Sequence, residues 1–234
     1  MRSIAAGFAL LLSLIAGPVL AQDAQTTANR APVASATDPQ NLWVLDLSTG
    51  GRVTIWLRPD VAPKMVARVK ELTRRHFYDG LAFHRVIDGF MAQGGDPKGD
   101  GTGGSDLPNM PSEFNYLPHV RGAVSAARAD DPNSANSQFF IVFQPKLNLD
   151  KKYTVFGRVL DGMQYVDAIE RGEPPTNPSR IVHAYVLADN PPAYQPMPPA
   201  PAVQPALTPL PTGPAVAAPK TVPAVAPVRK RVRR

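Results

Sequence analysis

The chain of 234 residues contains no cysteine, which excludes several kinds of chemistry. Disulfide bridges, thiolate nucleophiles and a lipid anchor on an N-terminal cysteine all require that residue. The chain has only four histidines, and they form neither an HExxH motif nor any other metal-ligand pair. No serine lies in a GxSxG elbow, so a serine hydrolase would need a triad that only the fold assembles. We therefore expect no metal and no cofactor.

Long apolar runs are also lacking, except at the N-terminus. Arg2 precedes an apolar run over residues 4–20, which Pro18 interrupts. This pattern is typical of a secretory signal peptide, whereas the alternative, a transmembrane anchor, needs about 20 predominantly apolar residues. We predict a signal peptide over residues 1–21 with cleavage after Ala21. The mature protein is then periplasmic, in a Gram-negative bacterium, or secreted, with no stable membrane insertion.

Large apolar residues are scarce on both sides of a central segment. The composition of residues 22–40 predicts a disordered linker. Residues 191–234 hold 13 of the 27 prolines and no acidic residue, and they predict a disordered, extended tail with a basic terminus. The tail carries six basic residues, as many as the formal charge of +6, so residues 22–190 are nearly neutral. We expect no nucleic-acid partner for the domain; the terminus is either a solvated tail or a contact for anionic lipid, polysaccharide or nucleic acid.

The central segment, residues 41–190, has the size of one domain with a full core. Segments rich in β-branched and aromatic residues predict eight strands: LWVLDL, RVTIWL, AFHRVI, FMAQGG, GAVSAA, QFFIVF, YTVFGRV and RIVHAYVL. A helical period predicts one helix from Pro63 to a stop at residues 78–80, and a second over MQYVDAIERG that ends at Gly172. Together these elements predict a mainly β fold, a closed eight-stranded antiparallel β-barrel capped by two α-helices.

Two of the predicted strand segments combine polar and large apolar side chains on one face. In SQFFIVF, strand alternation places Gln138 and Phe140 on one face and Phe139 on the other, and one of the two faces can be core. In FHRVIDGFMAQGGD, alternation places Arg85 on the same face as Phe83. The two segments predict an apolar recess with a guanidinium at its rim and no nucleophile. Such a recess can only bind, or catalyse a reaction that breaks no bond.

A family resemblance rests on five segments, which occur in the same order and at similar spacing. FHRVIDGFMAQGGD, GDGTGG, NSQFF, LDKKYTVFGRV and DGMQYVDAIE resemble the cyclophilin family of peptidyl-prolyl cis/trans isomerases. The similarity covers nearly all of residues 41–190 and neither tail. It implies a groove on the outer side of the barrel that binds proline peptides, and isomerase activity on them. Together with the predicted signal peptide, this leads to an isomerase that assists the folding of exported proteins. The alternative is a non-catalytic proline-peptide binding module or a holdase chaperone.

The resemblance also assigns the residues of the groove. Arg85 matches the catalytic arginine, whose guanidinium donates to the prolyl nitrogen when that nitrogen loses its conjugation. The implied substrate-binding residues are Phe90, Met91, Gln93, Ala127, Gln138, Phe140, Asn148, Leu149 and Tyr153. The alternatives are a structural ion pair for Arg85 and a loop-fastening amide for Gln93. Phe139 and Phe156 are assigned to the core. The implied partners are proline-containing peptides and unfolded exported proteins, and a monomer is expected.

Two positions depart from the family pattern. Asn148 stands where cyclosporin-sensitive members carry a tryptophan, and Tyr153 stands where the groove has a histidine. Tyrosine keeps an aromatic face and a hydroxyl, so substrate binding should survive. Asparagine removes an indole wall and a donor, so we predict weak cyclosporin binding.

Overall fold

The computed structural model describes residues 32–195 of the chain. The predicted signal peptide, residues 22–31 of the predicted linker and residues 196–234 of the predicted tail lie outside this range. Within it, no helix is both long and apolar enough to cross a membrane.

One antiparallel sheet contains eight strands within the described residues. They are β1 (Leu42–Leu47), β2 (Gly51–Leu57), β3 (Arg85–Ile87), β4 (Met91–Gly94), β5 (Ala123–Ala126), β6 (Phe139–Val142), β7 (Val155–Asp161) and β8 (Ile181–Val186). The order of strands across the sheet is β3-β4-β6-β5-β7-β2-β1-β8. Each of the eight predicted segments therefore contains a strand, although most strands are shorter than the segment that predicts them.

The two edge strands of the sheet, β3 and β8, meet without forming a ladder. The chain just before β3 bonds instead to the chain at the start of β8, with Gly80 N donating to Ile181 O at 2.7 Å and Phe83 N to Ser179 O at 2.9 Å. An isolated bridge joins Ala82 to Arg180. The barrel that the sequence predicts as closed is thus a strongly curled sheet whose seam is joined by a few backbone bonds.

Both faces of β6 are buried, although the sequence predicts one core face. Phe139 and Ile141 point into the main core, where Phe139 packs edge-on against Trp43 with ring centroids 5.0 Å apart. Phe140 and Val142 belong to a second, smaller apolar cluster on the outer side of the sheet. The predicted division of these side chains between two faces is confirmed. The assignment of Phe139 and Phe156 to the core is also confirmed, since both are fully buried.

The face predicted for Phe83 is wrong. Phe83 lies in the main core together with Val86, whereas Arg85 points outwards. Regular alternation would place residues 83 and 86 on opposite faces. It fails because residue 83 precedes β3 and bonds across the seam to Ser179 rather than joining the ladder.

Two helices pack against the sheet, and both end earlier than predicted. Helix α1 (Pro63–Arg74) begins where Glu113 accepts hydrogen bonds from the backbone nitrogens of residues 64 and 65, at 3.0 and 2.9 Å. It ends before His76, whose φ of 56° is incompatible with a right-handed helix. Helix α2 spans Met163–Asp167, and just beyond its end the guanidinium of Arg171 donates to the carbonyls of residues 167 and 169.

Candidate active site

The register of three strands places a row of side chains side by side on the outer face of the sheet. Arg85 on β3 pairs with Gln93 on β4, and Gln93 pairs with Phe140 on β6. Directly paired residues share a face in an antiparallel sheet, so all three side chains project from the same side. The fold thus places a cation, an amide and an aromatic ring next to one another. The first and the last of these residues are 55 positions apart in the chain.

This row borders a cavity of about 440 Å³ on the outer side of the sheet. All of the predicted site residues except Gln138 line it. Gln138 lines the neighbouring cavity, of about 430 Å³, which it shares with Gln93. Arg128 and Lys146 line the first cavity as well, and neither is among the residues that the resemblance assigns. The structure therefore brings together all the residues that the resemblance assigns.

Apolar side chains form the bottom of the cavity. Met91 and Phe140 are 1% and 5% exposed, so they are fixed by packing. The ring of Phe140 contacts the ring of Tyr153, with centroids 5.9 Å apart and nearly perpendicular planes. It also contacts the ring of Phe90, with centroids 6.4 Å apart. The 3-10 turn at Leu147–Leu149 contributes the edge of the cavity. This arrangement offers a small, rigid apolar surface that suits a compact ring.

Arg85 lies at the rim of the cavity and is about half exposed. Its Nε donates to Oε2 of Glu173 at 2.8 Å, and its Nη1 donates to Oε1 of Gln93 at 3.4 Å. The ion pair that the sequence analysis considered as an alternative is therefore present, but it coexists with the position at the cavity. Since a guanidinium has five N–H donors, these two bonds leave three for a ligand.

Two glutamines connect Arg85 to the loop over residues 99–104. Gln93 Nε2 donates to Gln138 Oε1 at 2.9 Å. Gln138 Nε2 in turn donates to the carbonyls of Gly101 and Gly103, at 3.0 and 2.8 Å. The loop is thus fastened by Gln138, whereas Gln93 links Gln138 to the arginine.

A serine, a histidine and an aspartate meet beneath the cavity, in the geometry that a hydrolase would require. His119 Nδ1 lies 2.8 Å from Asp150 Oδ1, and its Nε2 lies 3.1 Å from Ser125 Oγ. Burial lowers the pKa of His119, although the hydrogen bond to Asp150 opposes the shift. Because an ionised carboxylate can only accept, Nδ1 donates to Asp150. Ser125 Oγ donates its single hydroxyl hydrogen to the carbonyl of Thr154 at 3.0 Å. Because Ser125 and His119 are fully buried, no substrate carbonyl reaches them, and the group supports Phe140, whose ring stacks on His119 at 6.1 Å.

The described residues offer no other reactive centre at the cavity. Within residues 32–195, no group of three or more histidine, aspartate and glutamate side chains is arranged to hold a metal ion. His84, beside Arg85 in the chain, is 5% exposed, and burial lowers its pKa. The site can therefore hold a small apolar group and donate hydrogen bonds to its polar neighbours.

Comparison with known proteins identifies the family. The sequence model described as cyclophilin type peptidyl-prolyl cis-trans isomerase/CLD matches residues 44–186. The chain belongs to this cyclophilin family. A probable peptidyl-prolyl cis-trans isomerase of Brucella suis is 49% identical over 172 residues, covering 67% of this chain and 87% of the relative. Peptidyl-prolyl cis-trans isomerase B of Bacillus subtilis is 41% identical over 128 residues, covering 54% of this chain and 89% of the relative.

Solved cyclophilin structures have the same fold. Cyclophilin AquaCyp293 from Hirschia baltica superposes with a TM-score of 0.61 at 32% identity, covering 66% of this chain and 77% of that one. A Cryptosporidium parvum cyclophilin crystallised in the presence of the dipeptide Ala-Pro superposes with a TM-score of 0.58 at 27% identity, covering 62% of this chain and 98% of that one. The resemblance inferred from the five sequence segments is confirmed. The protein is a cyclophilin-type peptidyl-prolyl cis-trans isomerase, a family that binds proline-containing peptides.

Three charged residues of the cyclophilin site were missed by the sequence analysis. Arg128 and Lys146 line the cavity, and Glu173 binds Arg85. Arg128 follows the predicted groove residue Ala127 directly, and this position is the one signal in the sequence that indicates it. Glu173 is 88 residues from Arg85, and no periodicity connects the two positions.

Proposed function

We propose that this cyclophilin isomerises X-Pro bonds in the 440 Å³ cavity, with Arg85 as the catalytic hydrogen-bond donor. An X-Pro bond rotates in tens to hundreds of seconds because its C–N conjugation must be lost. In the twisted transition state the prolyl nitrogen has a free lone pair, which neither planar ground state offers. A donor aimed at this nitrogen therefore binds the transition state better than the substrate. The position of Arg85 at the rim of a cavity with an apolar bottom carries this proposal.

The other residues have the proposed role of holding the peptide. Met91, Phe140 and Leu149 contact the proline ring, with Phe90 and Tyr153 as aromatic walls. The peptide groups on either side of the ring face the backbone and side chain of Ala127. They also face the side chains of Gln93, Gln138 and Asn148. Rotation requires one side of the bond to be held while the other turns. The burial of Met91 and Phe140 supports this proposal because a rigid wall restrains the ring at little entropic cost.

A pure binding module or holdase needs the apolar bottom of the cavity but not a guanidinium at its rim. The discriminating experiment is exchange between cis and trans in a short Ala-Pro peptide, followed by NMR. We expect the wild type to accelerate exchange and Arg85→Ala to lower the catalysed exchange rate by at least about tenfold. The control Arg158→Ala, at a matched exposed arginine on β7, should have the wild-type rate. Absence of acceleration by the wild type would refute catalysis. Equal acceleration by wild type and Arg85→Ala would remove Arg85 from the mechanism.

The biological setting is a further part of the proposal. The apolar run over residues 4–20 supports export, with the enzyme acting as a monomer on unfolded exported proteins in the periplasm or outside the cell. Expression of the whole chain in a Gram-negative host tests this. We expect a periplasmic product whose first residue is Gln22. Full-length chain in the cytoplasm would contradict export without affecting the proposed chemistry.

A further inference from the structure

We propose that the proline cavity favours peptides with an anionic side chain, Asp or Glu, next to the proline. This inference rests on the proposed function, since it concerns the substrates of the same cavity. It is carried by the two cations that the sequence analysis missed, Arg128 and Lys146, both of which line the cavity. The cavity has no acidic residue among its lining residues.

Lys146 lies above one aromatic wall of the cavity. Its Nζ is 5.7 Å from the centre of the Phe90 ring, and Phe90 in turn contacts Phe140. The side chain is only partly exposed. A cation above an aromatic ring at this distance keeps its charge available to a second partner, because the ring interaction contributes only about 0.5–1 kcal/mol at such sites.

Arg128 lies above the other aromatic wall. The centre of its guanidinium is 4.5 Å from the centre of the Tyr153 ring. Backbone carbonyls hold it there, since its Nη1 donates to Ala129 O at 2.7 Å and its Nη2 to Lys152 O at 3.0 Å. The guanidinium is therefore fixed at the cavity by neutral acceptors, and its charge is not neutralised.

Neither cation has an ion-pair partner within residues 32–195. The carboxylates near them have other neighbours or point elsewhere. Asp150 binds His119, and Asp131 accepts from the backbone of Asn133. Asp130 offers Arg128 its backbone oxygen, at 3.1 Å, and no ion pair joins its carboxylate to Arg128.

Arg85 differs from these two cations because Glu173 neutralises it at 2.8 Å. The net charge along the cavity walls is therefore positive and comes from Arg128 and Lys146. An anionic side chain placed beside the bound proline gains a Coulomb attraction that a neutral isostere does not, and salt screens that attraction.

The test compares capped tetrapeptides in which Glu, Gln or Lys stands directly before or directly after the proline. Catalysed exchange is measured by NMR at low salt and at about 1 M salt, where the screening length is about 3 Å. We expect kcat/KM for Glu to exceed that for Gln by about three- to fivefold in at least one position, the range of an exposed ion pair. Lys should fall below Gln, and high salt should remove the differences.

Three variants and one control assign the preference to the two cations. Lys146→Gln should reduce the Glu/Gln ratio, and Lys146→Glu should reverse it. Lys64→Gln, a matched change of an exposed lysine on α1, should leave the ratio unchanged. Arg128→Gln should reduce the ratio in the same direction as Lys146→Gln.

Equal kcat/KM for Glu and Gln at both positions would overturn the inference, as would a ratio that survives in both Lys146→Glu and Arg128→Gln. The Gln peptides separate this failure from that of the proposed function. If the wild type does not accelerate them, catalysis itself is refuted, and the Glu/Gln ratio of peptide dissociation constants then decides the inference alone.

Discussion

Glu173 accepts a hydrogen bond from Nε of Arg85 at 2.8 Å and so fixes the end of the guanidinium that is nearest the backbone. The Nη groups remain for Gln93 and for a substrate. Both partners are about half exposed, at 44% and 51%, so the pair adds little to the stability of the fold. Its proposed importance is that it restricts the directions in which Arg85 donates.

Glu173→Gln should therefore lower kcat/KM for an Ala-Pro peptide by about two- to fivefold, mainly through kcat. The amide keeps an acceptor but loses the charge, and Glu173→Ala should cost more than Glu173→Gln. The urea midpoint should stay unchanged in both variants. Glu71→Gln, which alters an exposed ion pair on α1, is the control. An unchanged or higher kcat in Glu173→Ala would show that Glu173 does not position Arg85.

Phe139 and Phe140 are neighbours in β6 on opposite faces, so their substitution should separate stability from activity. Phe139→Ala leaves an enclosed cavity in the main core and should lower the free energy of unfolding by about 3–5 kcal/mol. Phe140→Ala opens the outer cluster to solvent and should cost about 1.5–3 kcal/mol.

The activities of the two variants should show the opposite order. Phe140→Ala should lose most of its kcat/KM for an Ala-Pro peptide, because the wall of the proline cavity is gone. Phe139→Ala should retain kcat/KM per folded molecule, with Phe139→Leu as a milder variant if the alanine form unfolds. A greater loss of kcat/KM in Phe139→Leu than in Phe140→Ala would contradict the assigned faces.

The two faces of β6 were predictable from the sequence because side-chain alternation depends only on the local backbone. The register that places Arg85 beside Gln93 and Phe140 was not, since it depends on pairing between distant strands. Only the resemblance to a family supplied that grouping. The misplaced Phe83 shows the limit of alternation, which fails where a strand has not yet begun. The Glu173 contact with Arg85 depends on a tertiary approach that no local pattern encodes.

The buried His119 predicts loss of stability on acidification. Burial lowers its pKa, and burial lowers that of His84 in the same way. Burial alone would raise the pKa of Asp150, but bonds from the backbone and ring of His119 bring it below its usual value. Below the unfolded-state histidine pKa of about 6.5, the unfolded chain binds protons that the folded chain does not. The free energy of unfolding should therefore fall as the pH drops from about 7.5 to about 5.5. At still lower pH, the protonation of Asp150 should lower it further.

Urea midpoints at these two pH values test this. The decrease should be smaller in His119→Gln than in the wild type, with part remaining from His84. A decrease of the same size in His119→Gln would show that His119 does not titrate as described.

Asn148 is exposed at the edge of the proline cavity, on the 3-10 turn Leu147–Leu149. The wild type should bind cyclosporin weakly because this side chain offers no large apolar wall. Asn148→Trp should tighten binding by about tenfold, the effect of a buried aromatic contact with a donor. Fluorescence titration measures both constants. A low-nanomolar dissociation constant for the wild type would refute the prediction.

The main role proposed for Arg85 is to lower the rotation barrier of the bound peptide. Its contribution to the affinity for the peptide should be small. An Ala-Pro peptide is titrated with the enzyme until all of the peptide is bound. The NMR line shapes then give both the cis/trans exchange rate on the enzyme and the dissociation constant. In Arg85→Ala we predict an exchange rate lower by about tenfold or more, with a dissociation constant within about threefold of the wild type. An unchanged exchange rate on the enzyme, with only weaker binding, would contradict the claim.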